Sequence, residues 1–144
     1  MESLARISTL ALDSAPLIYY YIEEEPRYLP LLVPLIDAID AGKITCYAST
    51  IVLLEVLVKP LREKDEALAH EYREILMNSR LRLVTVSAMI AQEAARLRAQ
   101  YRLKTPDAIH IATALAHKVD ALLTNEPVWK RVKEVPIVVL EELT

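Results

Sequence analysis

Four carboxylates in this 144-residue chain stand where their chemistry asks for a reason. Asp13 ends the apolar run "TLAL" at 9–12 and opens "DSAPLIYY". In open α/β proteins the position after a strand faces the ligand cleft. Glu55 is the only ionisable group in "STIVLLEVLV", residues 49–58, and helical spacing surrounds it with Ile51, Val52, Leu54 and Val58. A carboxylate so placed must be partly buried, which is costly unless it neutralises, pairs with a cation or binds a metal. Asp107 follows Pro106 in "KTPDAIH", in the first turn of a helix whose continuation, "AIHIATALA", is apolar almost all round. Glu126 comes directly after "ALLTN". Strands and helices of one parallel sheet would bring all four acids to the same edge. Carboxylates gathered there repel, and the natural remedy is a hard divalent cation with oxygen ligands, Mg²⁺ or Mn²⁺. Such a cation polarises a phosphate oxygen and lowers the pKa of a bound water, the chemistry of phosphodiester hydrolysis.

Each acid has a structural explanation as well. Asp13 can cap the helix that Pro16 announces. Glu55 can pair with Lys59, four residues on and in the favourable order. Asp107 is favoured by the helix dipole alone, and Asn125 or Glu126 can cap the short helix containing Trp129. The four positions taken together, in their order along the chain, favour the metal reading over four separate structural roles.

The elements that must position these acids are read from periodicity. Short β-like runs fall at 9–12, 44–48, 81–86, 121–124 and 137–140, and helix-like segments at 16–23, 28–41, 50–59, 63–79, 88–101, 106–118 and 127–133. Short apolar strands alternating with helices predict a mostly parallel sheet of four to five strands covered on both faces, a three-layer α/β/α sandwich. No repeat, linker or low-complexity tract divides the chain, so residues 1–144 are expected to form one domain. "TPD" places Thr105 as an N-cap with Pro106 at the first helical position. The single glycine, Gly42, follows an apolar helical pattern and reads as a helix C-terminal cap. One glycine cannot build a phosphate loop or a dinucleotide fingerprint.

Composition narrows the classes further. A hydrophobic share of 53% with 6% aromatics and no Phe implies a core of Leu, Ile, Val and Ala. A net charge of −3 argues against nonspecific coating of nucleic acid but not against a nuclease that works through carboxylates. No apolar run reaches the length of a membrane span, and "MESLARIS" lacks a signal-peptide core, so a cytoplasmic location and no membrane partner are expected. Cys46 is alone and reads as a small buried hydrophobe.

The blocks "LDSAPLIYY", "STIVLLEVLVKP" and "TPDAIHIATALAHKVDALLTNE", in this order and spacing, resemble the PIN-domain ribonucleases, and among them the VapC-like toxins of toxin–antitoxin pairs. The resemblance covers nearly the whole chain, and the third block is its most specific part. It implies a metal-dependent endoribonuclease in which Asp13 and Asp107 are the principal ligands of Mg²⁺ or Mn²⁺. Glu55 would bind or orient the attacking water, and Glu126 would take a fourth acidic place usually held by aspartate. That departure, with Pro127 biasing Glu126 towards an extended backbone, bears on a second metal. Ser14, Thr124 and Asn125 match small polar residues that the family places beside the acids. The implied reaction is in-line attack of water on an RNA phosphodiester, leaving a 5′-phosphate and a 3′-hydroxyl. The implied partners are RNA, an antitoxin whose chain crosses the acidic groove, and a second copy of the chain; "EEEPRYLPLLVPLIDAID" offers an apolar face for either protein contact or for the core.

Around this site, His110 reads either as a proton carrier or as a hydrogen-bonded core residue, and His70 and His117 as surface residues. Lys59, Arg62, Arg102, Lys104 and Lys130 are candidate rim cations, and Tyr19, Tyr20 and Trp129 candidate base-stacking groups or core. The competing class is a PIN-like scaffold that binds RNA or a protein without cutting. Aspartyl phosphotransfer is disfavoured, because phosphatases of that kind want an acid two residues after the first and Ala15 stands there.

Overall fold

The structure, a computed structural model, describes residues 4, 6–23 and 25–144. Met1, Glu2, Ser3 and Ala5 of the N-terminal stretch, and Glu24 of the acidic run, lie outside the described residues.

Five strands alternate with helices. They are β1 (Thr9–Leu12), β2 (Thr45–Ser49), β3 (Arg82–Val84), β4 (Ala121–Thr124) and β5 (Ile137–Val139). The helices are α1 (Ser14–Leu17), α2 (Leu29–Asp40), α3 (Ile51–Arg62), α4 (Glu66–Met77), α5 (Ala88–Tyr101) and α6 (Thr105–Ala116). A π-helical turn at Ile18–Ile22 and 3₁₀ turns at Pro127–Arg131 and Leu140–Leu143 complete the set. Every strand pair is parallel, in the order β3-β2-β1-β4-β5.

Alternation along β1 explains the layers. Leu10 and Leu12 point into one apolar cluster with Leu32, Ile36 and Ile39 of α2, Val52 and Val56 of α3 and Leu76 of α4. Ala11, between them, belongs to a second cluster with Ile90, Ala94 and Leu97 of α5 and Ala108, Ile111 and Ala112 of α6. Two-residue periodicity thus feeds two helical layers from one strand. The expected three-layer α/β/α sandwich with a parallel sheet is what the chain forms. The apolar face of α2 is core, through Leu32, Leu35, Ile36 and Ile39.

The strand order reverses direction between β1 and β4: the chain moves outward through β2 and β3, then returns to the other side of β1. Such a switch point opens a crevice at the carboxyl ends of the strands. Two sets of bonds hold β1 and β4 in register at this point. Asp120 Oδ2 accepts from the Ser8 and Thr9 N–H groups at 2.8 and 3.0 Å, tying the strands at their amino ends. The Asp13 N–H donates to Leu123 O at 3.0 Å and continues the ladder past β1.

Two local expectations shift, and one open alternative closes. The helix expected over 16–23 is a four-residue helix running into the π turn, whose i to i+5 bonding has no compositional mark. Thr105 is the first residue of α6 rather than its cap; Lys104 holds the cap position, in extended conformation. Trp129 is fully buried and unavailable to stack a base. Gly42 stands one residue past the Ala41 cap of α2 at φ +77°, where a side chain is strained, as expected of a C-terminal glycine. No helix among the described residues is long and apolar enough to cross a membrane.

Candidate active site

Asp13 sits in the switch-point crevice. It caps α1, Oδ1 accepting from the Ser14 N–H at 2.7 Å, so the capping explanation is real. Capping does not explain its burial: Asp13 is only 5% exposed, and Oδ2 accepts a second bond from Thr124 Oγ at 2.8 Å across the β1–β4 junction. Burial pushes its carboxyl above the ordinary range, against the opposing pull of His110, the Thr124 hydroxyl and the Ser14 N–H.

Glu55 reaches the same crevice from α3. That helix leaves β2 through a turn in which Ser49 Oγ accepts from the Ile51 N–H at 3.2 Å, and Glu55 lies one turn further on. Among the described residues its ion-pair partner is His110 rather than Lys59: Nε2 stands 2.7 Å from Glu55 Oε1. The same nitrogen is 3.5 Å from Asp13 Oδ1. One imidazole therefore faces both carboxylates. Ser14 Oγ lies between them on the other side, 3.3 Å from Glu55 Oε2 and 3.4 Å from Asp13 Oδ1.

His110 is thus both a buried, hydrogen-bonded residue and a member of the site. Asp107 stands three residues before it on α6, so the two share a helix face. Asp107 is half-buried, and its carboxylate makes no hydrogen bond or ion pair among the described residues. Glu126 is exposed; its N–H donates to Thr124 Oγ at 3.1 Å, and its backbone is extended, as Pro127 requires. Its side chain makes no cap bond.

Asn125 faces elsewhere. Its Oδ1 accepts from the Glu141 N–H at 2.9 Å and its amide nitrogen lies 3.2 Å from Tyr28 Oη. Tyr28 in turn donates to Glu141 and stacks on Tyr19 at a centroid distance of 4.9 Å. Sequence reasoning missed this network. His117, expected at the surface, is half-buried and stacks on Tyr47 at 4.2 Å. Of the expected rim cations, Lys130 pairs with Glu142 at 2.6 Å. Lys59 lines a hollow of about 290 Å³ beside Glu55, with Ile18, Val56, Pro60, Leu68 and Tyr72.

The donor chemistry at the crevice suits a hard divalent cation: among the described residues Asp13 is a buried carboxylate with no Lys or Arg partner, and Glu55 shares its one imidazole. Among the described residues, however, no three His, Cys, Asp or Glu side chains are gathered closely enough to hold a metal ion.

A parallel α/β/α sandwich with buried acid at the β1–β4 switch point defines the class. Within it, the family model for the PIN domain matches residues 10–135, and the chain belongs to the PIN-domain family. No curated relative matches the sequence. Solved structures share the fold. VapBC2 from Rickettsia felis, bound to a DNA fragment from its promoter, is similar at 20% identity and TM-score 0.70 over 91% of this chain and 98% of that one. A toxin–antitoxin complex from Klebsiella pneumoniae is similar at 24% identity and TM-score 0.64, over 91% and 97%. VapBC-1 from nontypeable Haemophilus influenzae is similar at 14% identity and TM-score 0.70, over 92% and 98%.

Proposed function

We propose that this protein is a metal-dependent endoribonuclease, the VapC-like toxin of a toxin–antitoxin pair, acting in the cytoplasm as one PIN-like domain. The observation that carries the reading is the pairing of Asp13 and Glu55 about one crevice, with Asp13 buried at a cost that its structural contacts do not require. Family membership and the toxin–antitoxin complexes among the structures of like fold support it.

Asp13, Glu55 and Asp107 would hold Mg²⁺ or Mn²⁺, with Glu126 at the rim. When bound, the cation would supply charge stabilisation at the scissile phosphate and a more acidic water. The chain's own residues do the positioning. Thr124 and the Ser14 N–H fix the Asp13 carboxylate, Ser14 Oγ spaces it from Glu55, and His110 holds Glu55 towards the crevice. Lys59 and the other rim cations would steer the RNA backbone. The hollow leading to Glu55, lined by Ile18, Leu68 and Tyr72 and by Glu23, Lys59 and Glu63, would receive an antitoxin segment, and the chain would pair with a second copy.

Cleavage of a labelled single-stranded RNA in Mg²⁺, in Mn²⁺ and in EDTA, with Asp13→Asn purified in parallel, tests the reading. Cutting that needs metal and disappears in the variant supports it. Intact RNA with folded, partner-free protein in both metals would overturn it. One observation favours a second reading, a PIN-like scaffold that binds without cutting: the absence of a gathered three-ligand set among the described residues.

A further inference from the structure

Two buried polar atoms among the described residues have no hydrogen-bond partner, and they belong to neighbouring rings: His110 Nδ1 and Trp129 Nε1. Both residues are sealed from solvent, at 2% and 0% exposure. Their ring centroids are 6.2 Å apart, with the planes inclined by 30°. Native proteins rarely leave such atoms unpaired, because each has lost its water on burial.

The chemistry of the two atoms is complementary. An indole N–H can only donate. On the imidazole, Nε2 faces Glu55 Oε1 at 2.7 Å and Asp13 Oδ1 at 3.5 Å, so the hydrogen belongs on Nε2. In the singly protonated ring Nδ1 is then an acceptor. Donor and acceptor do not bond each other directly, and one water between the two rings would satisfy both, accepting from the indole and donating to Nδ1.

We propose that His110 and Trp129 enclose a buried hydration site, and that through this water Trp129 is a positioning residue for the acidic crevice. The water fixes the His110 tautomer, keeping Nε2–H directed at Glu55 and Asp13. Trp129 lies in the 3₁₀ turn immediately after Glu126, so the loop leaving β4 brings an acid to the rim and an indole beside the His110 ring. The positioning role rests on the nuclease reading; the hydration site does not.

The test uses the full chain in EDTA, with ¹⁵N-labelled histidine and tryptophan. The chain has three histidines and one tryptophan, so His110→Asn assigns the ring signals and the indole signal is single. The expected result is a His110 ring protonated at Nε2 and bare at Nδ1, and a Trp129 N–H that exchanges slowly with solvent and shows a cross-peak to a long-lived water. A ring carrying a proton on Nδ1, with or without one on Nε2, or an indole without a water cross-peak, overturns the hydration site. These measurements stand whether or not the protein cuts RNA, which separates this inference from the nuclease reading. Trp129→Phe removes the donor. It should let the Nδ1-protonated tautomer appear and lower kcat for RNA by ten- to a hundredfold, the usual effect of losing a group behind a metal ligand, with KM changed less than twofold. A folded Trp129→Phe protein with the wild-type tautomer and turnover overturns the positioning role. If that variant does not fold, the wild-type spectra alone decide the hydration site, and His110→Gln, which keeps a donor towards Glu55, decides the positioning role by whether it retains more turnover than His110→Ala.

Discussion

Asp13→Asn should make the metal-free protein more stable while removing its activity. Both hydrogen bonds of the carboxylate have replacements in the amide. The amide oxygen accepts from the Ser14 N–H, as Oδ1 does at 2.7 Å, and the amide nitrogen donates to Thr124 Oγ, now 2.8 Å from Oδ2. What is lost is a buried charge. Burial is the largest influence on this carboxyl and holds its pKa above the ordinary aspartate value in spite of His110, Thr124 and Ser14. A raised native pKa means that the folded state binds the proton more tightly than the unfolded state. Stability therefore falls as pH rises from the ordinary carboxylate range through the native value, and remains lower above it. Asparagine does not titrate and escapes that loss. In EDTA at neutral pH the variant is expected to gain about 0.5–2 kcal/mol, the usual range for relaxing a functional constraint. For a chain of this length each kcal/mol raises Tm by about 2–4 °C. The advantage should shrink on acidification, as wild-type Asp13 takes up its proton. Urea unfolding followed by circular dichroism across a pH series, with EDTA throughout, measures the difference. Saturating Mn²⁺ should reverse the order, since a ligand at a hundred times its Kd adds about 2.7 kcal/mol to the protein that binds it. A variant no more stable than wild type at neutral pH in EDTA would refute the reasoning, because the contacts of Asp13 would then outweigh the cost of burying it.

Asp107→Asn should slow RNA cleavage by more than a hundredfold, whereas Glu126→Ala, at an exposed side chain, should cost about tenfold, an effect typical of an outer group; initial rates in Mn²⁺ compare the two, and equal losses would place Glu126 among the principal ligands. Asn125→Ala removes the bonds to the Glu141 N–H and to Tyr28 Oη, and at about 1 kcal/mol each, less what water restores, should lower stability by about 1–2 kcal/mol. A cycle with Tyr28→Phe should return a coupling of at least about 0.5 kcal/mol, and strict additivity would mean that the bridge is not formed in solution.

The legible part of the fold was its layering. Short apolar runs separated by helical periodicity imply a covered parallel sheet, and β1 and β4 fall on the expected residues because their runs are bounded by polar groups at both ends. Strand order is another matter. It depends on pairings such as Leu10 with Ala121, whose partners lie far apart in the chain and leave no local trace. Local propensity also misjudged the segment after Asp13, because an i to i+5 turn uses the same apolar residues as an α-helix.

The site divides along the same line. Asp13 and Glu55 could be singled out because a charge within an apolar run is a cost visible in one dimension. What compensates the cost is visible only in three: Thr124 reaches Asp13 across 111 positions and His110 reaches Glu55 across 55. Asn125 illustrates the reverse case. Its place beside Glu126 and its match to the family pattern suggested a supporting role at the site, while its hydrogen bonds go to Tyr28 and to the segment 16 residues on. Trp129 read as a group for stacking bases or for filling the core, and it is core. Its ring lies 6.2 Å from the imidazole that both acids face, and its N–H is unpaired among the described residues. Sequence therefore marks where the fold accepts an energetic penalty, while the identity of the groups that offset it follows from long-range packing.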